Sequence, residues 1–472
     1  MIPTSHAFKE NARHALGDAN LQKAMTNLRA GFVERRALMV SRLPEWEELR
    51  DQAVAIKKHT LANLDFYLET FEKNVIAAGG KVHWCRDAAA ANAAVLAICR
   101  DLGAKTVTKG KSMIGEEMAV NDYLEANGIV PVETDLGEYI IQIRHEGPSH
   151  IIAPAIHLVK EQVAESFRAT HTTLDPKRPL DDARQMCDEA RAVLRQKFLA
   201  ADVGITGANF LIAETGSSII VTNEGNGDLT QTLPRAHIVL ASLEKVVPTL
   251  EDAATILRLL ARSATGQEFS AYTTISTGPR RAADPDGPGQ YHVVLLDNGR
   301  SALLGTEFED MLRCIRCAAC LNHCPVYEAV GGKSYGWVYP GPMGAVLTPS
   351  LLGIEEAGNL PNASTFCGRC ESVCPMKIPL PKMMRHWRER EFARHLSPAL
   401  ARWGIALWAF FAARPRLYHA AADVAALVLG FFGKTRGRFR TLPLAAGWTD
   451  TRDMPAPQGR SFHSLWATRN RS

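Results

Sequence analysis

Residues 79–133 read GGKVHWCRDAAAANAAVLAICRDLGAKTVTKGKSMIGEEMAVNDYLEANGIVPVE, and this run decides the fold. Gly79-Gly80 ends a helical pattern. Lys81–Trp84 then reads as a strand, Ala88–Leu102 as a helix, Lys105–Thr108 as a strand, Gly115–Asn127 as a helix and Ile129–Glu133 as a strand. Short apolar runs alternating with longer helical stretches are the rhythm of a parallel sheet with helices on its faces. The chain is therefore expected to be an α/β protein with a parallel-rich sheet.

Working outward, further strands fit Tyr139–Ile143, His150–Ala153, Phe210–Thr215, Ser218–Thr222, His237–Leu240, Tyr272–Ser276 and His292–Leu296. Helices fit His157–Ala169, Asp181–Ala200 and Thr249–Ser263, the last opening with Thr249 and Asp252 in a capping-box-like pair. Upstream, residues 7–77 read as long helices broken at Pro44, with Trp46, Leu49, Ala53, Ile56, Leu61 and Leu64 recurring on one face. Downstream, a Pro/Gly-rich stretch from Gly278 to Gln290 precedes the final strand, and Asp297-Asn298-Gly299 closes the domain. Four sections follow: an N-terminal helical segment over 1–65, the α/β domain over 66–300, a Gly- and Pro-dense, mainly helical cysteine domain over 301–385, and a helical basic section over 386–472.

A length of 472 residues suits about two or three domains. Net charge is only +4 but uneven, because residues 376–440 hold 13 Lys and Arg against three Asp and Glu. A mildly acidic body with a basic C-terminal section invites an anionic partner or surface there. Nucleic acid is not expected as a partner. Residues 1–31 are polar and charged, without the apolar core of a secretory signal, so a cytoplasmic location is expected. Thiols stay reduced there, and clustered cysteines then mean metal or catalysis. Of ten cysteines, Cys85, Cys99 and Cys187 are scattered and read as buried small hydrophobes.

The other seven form an array. Cys314, Cys317, Cys320 and Cys324 are spaced C-x2-C-x2-C-x3-C and followed by Pro325; Cys367, Cys370 and Cys374 are spaced C-x2-C-x3-C and followed by Pro375. This is ferredoxin spacing: two-residue gaps let consecutive sulfurs converge on one small iron–sulfur cluster, and the last cysteine before proline ligates the other. Cys374 is thus expected to complete a first cluster with Cys314, Cys317 and Cys320, and Cys324 to join Cys367 and Cys370 at a second. Zinc ribbons lack the third cysteine and the Cys-Pro ending, and disulfides do not suit a reducing compartment. The second set is one thiolate short. It is open to a three-iron cluster, or to a four-iron cluster completed by a distant Cys, a non-Cys side chain or solvent. Two adjacent redox centres suit one-electron relay. Lys377, Lys382, Arg385 and Arg388 either balance cluster charge or form a solvated helix face.

In the α/β domain, Lys109-Gly110-Lys111-Ser112 sits between a strand and a helix, a place for anions or a plain βα turn, and it is not a Walker loop. Glu214 of Glu214-Thr215-Gly216-Ser217-Ser218 is a candidate base or nucleophile, against a tight hairpin turned by Gly216. Asn223-Glu224-Gly225-Asn226-Gly227 is loop-forming and could line the same cleft. A binding cleft is favoured over catalysis, and no catalytic residue is assigned. His145, His150 and His157 are too irregularly spaced for a metal site. No G-x-G-x-x-G follows a strand, so neither flavin nor nicotinamide binding has support.

In the C-terminal section, Ala399–Ala413 and Ala420–Phe432 are apolar, helix-prone and too short to span a bilayer. A helical pair packed on the cluster region or on a partner subunit is expected, with peripheral membrane contact as the alternative.

The stretches Cys314-Ile-Arg-Cys-Ala-Ala-Cys320, Cys324-Pro-Val-Tyr, Gly331-Gly332-Lys-Ser-Tyr-Gly336, Tyr339-Pro-Gly-Pro-Met-Gly-Ala-Val-Leu347 and Cys370-Glu-Ser-Val-Cys-Pro-Met-Lys-Ile-Pro379 resemble the lactate utilization protein B family. Lys109–Ser112 with Glu116, Thr206-Gly-Ala-Asn209, Glu214-Thr-Gly-Ser217 and Thr222-Asn-Glu-Gly225 resemble its LUD domain, and the final section resembles its short C-terminal domain. The resemblance implies a LUD domain with the fold of sugar-phosphate isomerases and CoA transferases (NagB/RpiA/CoA-transferase-like), then a dicluster ferredoxin-like domain. It implies two [4Fe–4S] clusters, one on Cys314, Cys317, Cys320 and Cys374, the other on Cys324, Cys367 and Cys370. It implies an electron-transfer subunit, rather than a complete enzyme, working with two partner proteins and an unidentified electron acceptor to oxidise L-lactate to pyruvate and support growth on lactate. The alternatives are electron transfer for another hydroxy acid or a disulfide-reducing partner, or a metabolite-binding regulatory iron–sulfur protein.

Overall fold

The computed structural model describes residues 3–442, 446–449 and 452–469. The chain forms two compact units, Met1–Glu389 and Arg390–Ser472. Among its described residues the first unit contains ten strands. In chain order they are β1 (Lys81–Cys85), β2 (Thr106–Lys109), β3 (Val130–Glu133), β4 (Val203–Gly207), β5 (Phe210–Ile212), β6 (Ser217–Thr222), β7 (Ala236–Ser242), β8 (Val246–Val247), β9 (Tyr272–Ser276) and β10 (Gln290–Leu296). Six make a sheet in the order β1-β10-β7-β4-β2-β3, parallel at every pairing. A smaller mixed sheet runs β8-β5-β6-β9.

The large sheet is covered on both faces, as parallel sheets are. Every residue of β7 is buried. Ile238 and Leu240 point to one face, packing with Ala91, Val95 and Cys99 from the helix Ala88–Asp101. Val239 and Ala241 point to the other, packing with Leu68, Phe71 and Val75 from the helix Leu64–Ala77. The period of two that a strand imposes is what divides these side chains between two cores. The cysteine region shares a third core with the N-terminal helices.

The βαβ reading of residues 79–133 holds, with one break. The helix read over Gly115–Asn127 is two, Met113–Glu117 and Val120–Ala126, parted by Ala119 in the left-handed region at φ 52°. Tyr139–Ile143 is not a strand but part of the helix Leu136–Ile143. Asp135 caps it by accepting from the Gly137 and Glu138 amides. Leu136, Tyr139, Ile140 and Ile143 pack together at helical spacing, a three-and-four repeat that outweighs the apolar run. His150–Ala153 forms no strand either: His150 Nδ1 accepts from the Ile152 and Ala153 amides and bends the chain. Val203-Gly-Ile-Thr-Gly207 forms the central strand β4, although it is short and rich in glycine and carries little strand signal. The loop reading at Asn223–Gly227 stops at Gly225, since Asn226 opens the helix Asn226–Thr232. Thr249 caps the helix Leu250–Ala264 through the Asp252 amide, as read. Cys85 and Cys99 are buried, while Cys187 is only half-buried.

The second unit is built on a helical hairpin, Ala399–Ala412 and Pro415–Gly433. Pro415 stands at the first helical position, where its missing N–H costs nothing. A short antiparallel pair, β11 (Arg438–Phe439) and β12 (Met454–Pro455), follows. No side chain of Ala399–Ala412 is buried. Among the described residues no helix is long and apolar enough to cross a membrane.

Candidate cofactor site and adjoining cleft

The two cysteine segments fold alike. In the first, Ala318 at φ 61° caps the short helix Ala319–Asn322, which carries Cys320. In the second, Gly368 at φ 79° caps Arg369–Ser372, which carries Cys370. The Cys324 amide then donates to the Leu321 carbonyl, and the Cys374 amide to that of Glu371. A left-handed residue one step after the leading cysteine swings each C-x2-C pair onto one side. Each proline then starts the next segment, Pro325 as the first residue of the helix Pro325–Val330.

Long-range packing brings the segments together. Cys314, Cys317, Cys320 and Cys374 line one cavity, walled by apolar residues such as Ile151, Met343 and Met376. Cys324, Cys367 and Cys370 form a second neighbourhood in which the Cys370 thiol feels both others. Cys324 and Cys370 are buried there, while Cys367 is exposed. Among the described residues no three His, Cys, Asp or Glu side chains converge on a single ion. The first four thiols instead ring a volume, the arrangement a polynuclear cluster needs, and they fit it in donor type and number. Burial pushes the Cys374 thiol up to about 11 and Cys370 to about 12, with Cys317 and Cys320 raised as well. The Cys367 thiol is lowered, chiefly by a hydrogen bond from the Arg369 amide. Loading such a site must release protons.

Buried cations surround the first set, and their positions in the sequence gave no sign of it. Arg36 donates to the Val373 carbonyl at 2.8 Å and Arg50 to the Cys374 carbonyl at 2.7 Å. Both come from the N-terminal helices, hundreds of residues upstream. Arg316 lines the cavity itself, and Arg313 pairs with Asp310 at 2.8 Å. The cations read after Cys374 do less. Lys377 is taken up by Asp51 at 2.5 Å, Arg388 donates to the Pro361 carbonyl at 2.9 Å, and Lys382 and Arg385 are exposed.

A buried ion network ties this region to the α/β domain. Glu117 accepts from Arg300 at 2.8 and 2.5 Å, from Tyr339 at 2.6 Å and from Asn298 at 2.7 Å. Glu244 lies 3.3 Å from Arg300 and 3.2 Å from Arg316. These contacts give Tyr339 its role, and close packing gives Gly332 its own: a Cβ there would meet the Ser149 carbonyl oxygen at 1.6 Å.

Beside the four-thiol cavity lies a larger cleft. It sits at the carboxyl ends of β2 and β4, on the loops Gly110–Ser112 and Gly207–Asn209, with Asn223, Glu224 and Asn226 also lining it. Ile151 and Arg316 line both cavities. The other sequence candidates divide. Lys111 lines the cleft, whereas Lys109 is fully buried against Glu116 at 2.8 Å and Glu133 at 2.7 Å. Ser112 caps Met113–Glu117. Glu214 is exposed, lies outside the cleft and accepts from the Leu250 amide at 2.8 Å, so it is a helix cap at a tight turn rather than a base. Gly216 makes that turn at φ 65°, where a Cβ would meet the Val75 nitrogen at 2.4 Å. The three histidines do not converge. His150 pairs with Asn322 at 2.9 Å and His157 with Glu146 at 3.0 Å, while His145 is exposed.

A parallel-sheet domain followed by paired cysteine segments around a thiol-ringed cavity marks an iron–sulfur protein with ferredoxin-type cysteine spacing. Matches to family models agree: a LUD domain over 68–296, a 4Fe-4S dicluster domain over 310–378, and the C-terminal domain of lactate utilisation protein B over 369–471. The chain is 42% identical over 470 residues to Lactate utilization protein B of Macrococcus caseolyticus, covering 98% of each chain. It is 42% identical over 470 residues to that of Shouchella clausii, covering 98% of this chain and 97% of the other. The chain belongs to the lactate utilization protein B family. A crystal structure of a DUF162 family protein from Deinococcus radiodurans aligns with 49% of this chain and 98% of its own, at 14% identity and a TM-score of 0.25.

Proposed function

We propose that this chain is the iron–sulfur electron-transfer subunit of an assembly that oxidises L-lactate to pyruvate. The observation that carries the reading is the four-thiol cavity of Cys314, Cys317, Cys320 and Cys374 beside the trio of Cys324, Cys367 and Cys370, in a chain whose relatives are named Lactate utilization protein B. The first four thiols would hold one [4Fe–4S] cluster and the trio a second, whose fourth ligand is not a cysteine of the array. When bound, such clusters take up and release single electrons, and two of them match the pair released when a hydroxy acid becomes an oxo acid.

The chain's own residues seal and orient the site. Ile151, Met343 and Met376 wall the first set, in which Cys317 and Cys374 are buried and Cys314 and Cys320 half-buried, and Arg36 and Arg50 clamp the Cys374 segment. Hydride removal from lactate belongs to one of two partner proteins, and a further acceptor completes the route. Mixing the anaerobic, cluster-loaded chain with its partners and L-lactate tests this. The expected result is bleaching of the iron–sulfur absorbance and an EPR signal within turnover time. Bleaching by a different 2-hydroxy acid alone would replace lactate as the substrate. Clusters that no donor reduces would contradict the electron-transfer role.

A further inference from the structure

The cleft at β2 and β4 has its own chemistry. From β2 the chain passes outward to β3, whereas from β4 it passes the other way, to β7 and then β10. The crevice between strands whose connections diverge in this way is where open parallel sheets bind ligands. Three cations, Lys111, Lys245 and Arg316, and two carboxylates, Asp135 and Glu224, line it. That leaves one net positive charge, which suits a monoanion better than a phosphate or a dicarboxylate.

Two of the cations hold donors in reserve. Lys245 is only 8% exposed, and among the described residues its ammonium has no hydrogen bond or ion pair. Arg316 spends Nη2 on Glu244 at 3.2 Å, while its Nη1 is buried without a partner. For Arg316 Nη1, an unmet buried donor costs about 1–3 kcal/mol, more when charged, so an anion seated against it restores what folding gave up.

We propose that this cleft binds a small organic monocarboxylate, its carboxylate on Lys245 and Arg316 and the rest of the molecule among Ser112, Asn209 and Glu224. Arg316 and Ile151 also wall the four-thiol cavity, so the ligand lies directly beside the first cysteine set. The proposal deepens the lactate reading and rests on it for its probes, L-lactate and pyruvate; the charge argument stands apart from it.

The test is ligand-observed NMR and calorimetry on the anaerobic, cluster-loaded full chain without partners, with L-lactate, pyruvate, succinate and inorganic phosphate as probes. L-lactate or pyruvate binds saturably, at least about tenfold tighter than succinate or phosphate, a gap of about 1.4 kcal/mol. Lys245→Gln weakens the monocarboxylate at least about tenfold. Asp135→Asn keeps the helix cap, because asparagine caps as well as aspartate. By removing a negative charge it improves succinate binding about threefold, a gain that a misfolded variant would not show. Absence of saturable monocarboxylate binding to the wild-type chain, or tighter binding of phosphate or succinate, overturns the proposal. Binding without lactate-driven cluster reduction in the full assembly would sink the lactate reading and leave the cleft standing. Reduction without binding to this chain would do the reverse.

Discussion

The two cysteine segments share a backbone and differ in what surrounds them. Ala318 and Gly368 take the same left-handed turn before the same short helix, because C-x2-C followed by C-x3-C-P leaves the chain few other ways to bring its sulfurs round. Yet Cys314, Cys317, Cys320 and Cys374 enclose an apolar cavity, while the trio opens to solvent at Cys367. The first set touches the ligand cleft through Arg316 and Ile151. Local spacing fixes how thiols are presented; distant residues fix whether a set is sealed or open. On the proposed electron-transfer role, a walled site beside a cleft and an open site at the surface would be the two ends of one path.

The contrast breaks first at the cysteines. Cys320→Ala is expected to empty the sealed site and remove about half of the bound iron, with a large loss of thermal stability. Cys367→Ser should spare the sealed site and affect only the open one. Iron and sulfide assays with EPR on both variants check this, and identical spectra from the two would erase the distinction.

Next in size is the network that seals the first set. Glu117→Gln leaves Arg300 buried beside a weakened partner and should cost about 3–5 kcal/mol, read from denaturant unfolding. A smaller effect comes from the clamp. Arg50→Met removes donors to the Ser372 and Cys374 carbonyls, costing about 1.5–3 kcal/mol. Losing a buried cation beside the first set should also lower that centre's potential and leave the other unchanged, measured by potentiometric EPR.

The smallest effect lies in the sheet, away from both sets. His237 is enclosed, 2.7 Å from the Thr206 hydroxyl, and burial pulls it from 6.5 down to about 3. The native imidazole stays neutral while the unfolded chain protonates near 6.5. Stability is therefore whole above pH 6.5 and falls as pH drops toward 3, by about 2 kcal/mol at pH 5. His237→Gln should flatten that acid limb in urea unfolding.

What was legible in the sequence was local. Strands β1, β2 and β3 show as apolar runs between helices, and the cysteine spacing announces itself. Helix Leu136–Ile143 looks like a strand because Tyr139, Ile140 and Ile141 are β-prone types, and only their spacing with Leu136 and Ile143 reveals the helix. Strand β4 hides because Val203-Gly-Ile-Thr-Gly207 is short and rich in glycine. Arg36, Arg50, Glu117, Glu244 and Arg300 carry no motif. Each acquires its role from a contact across a hundred residues or more, or, for Glu244, from Arg300 and Arg316 beyond the end of the sheet. Glu214 drew attention by sitting in a motif, and its side chain caps a helix.

The central claim is that seven thiols hold two clusters, one sealed and one open. The most direct measurement is iron and sulfide counting with EPR on anaerobically purified, dithionite-reduced wild-type protein. About seven or eight irons per chain and two interacting paramagnets are predicted. Colourless protein, bound zinc, or a single isolated cluster would contradict the account.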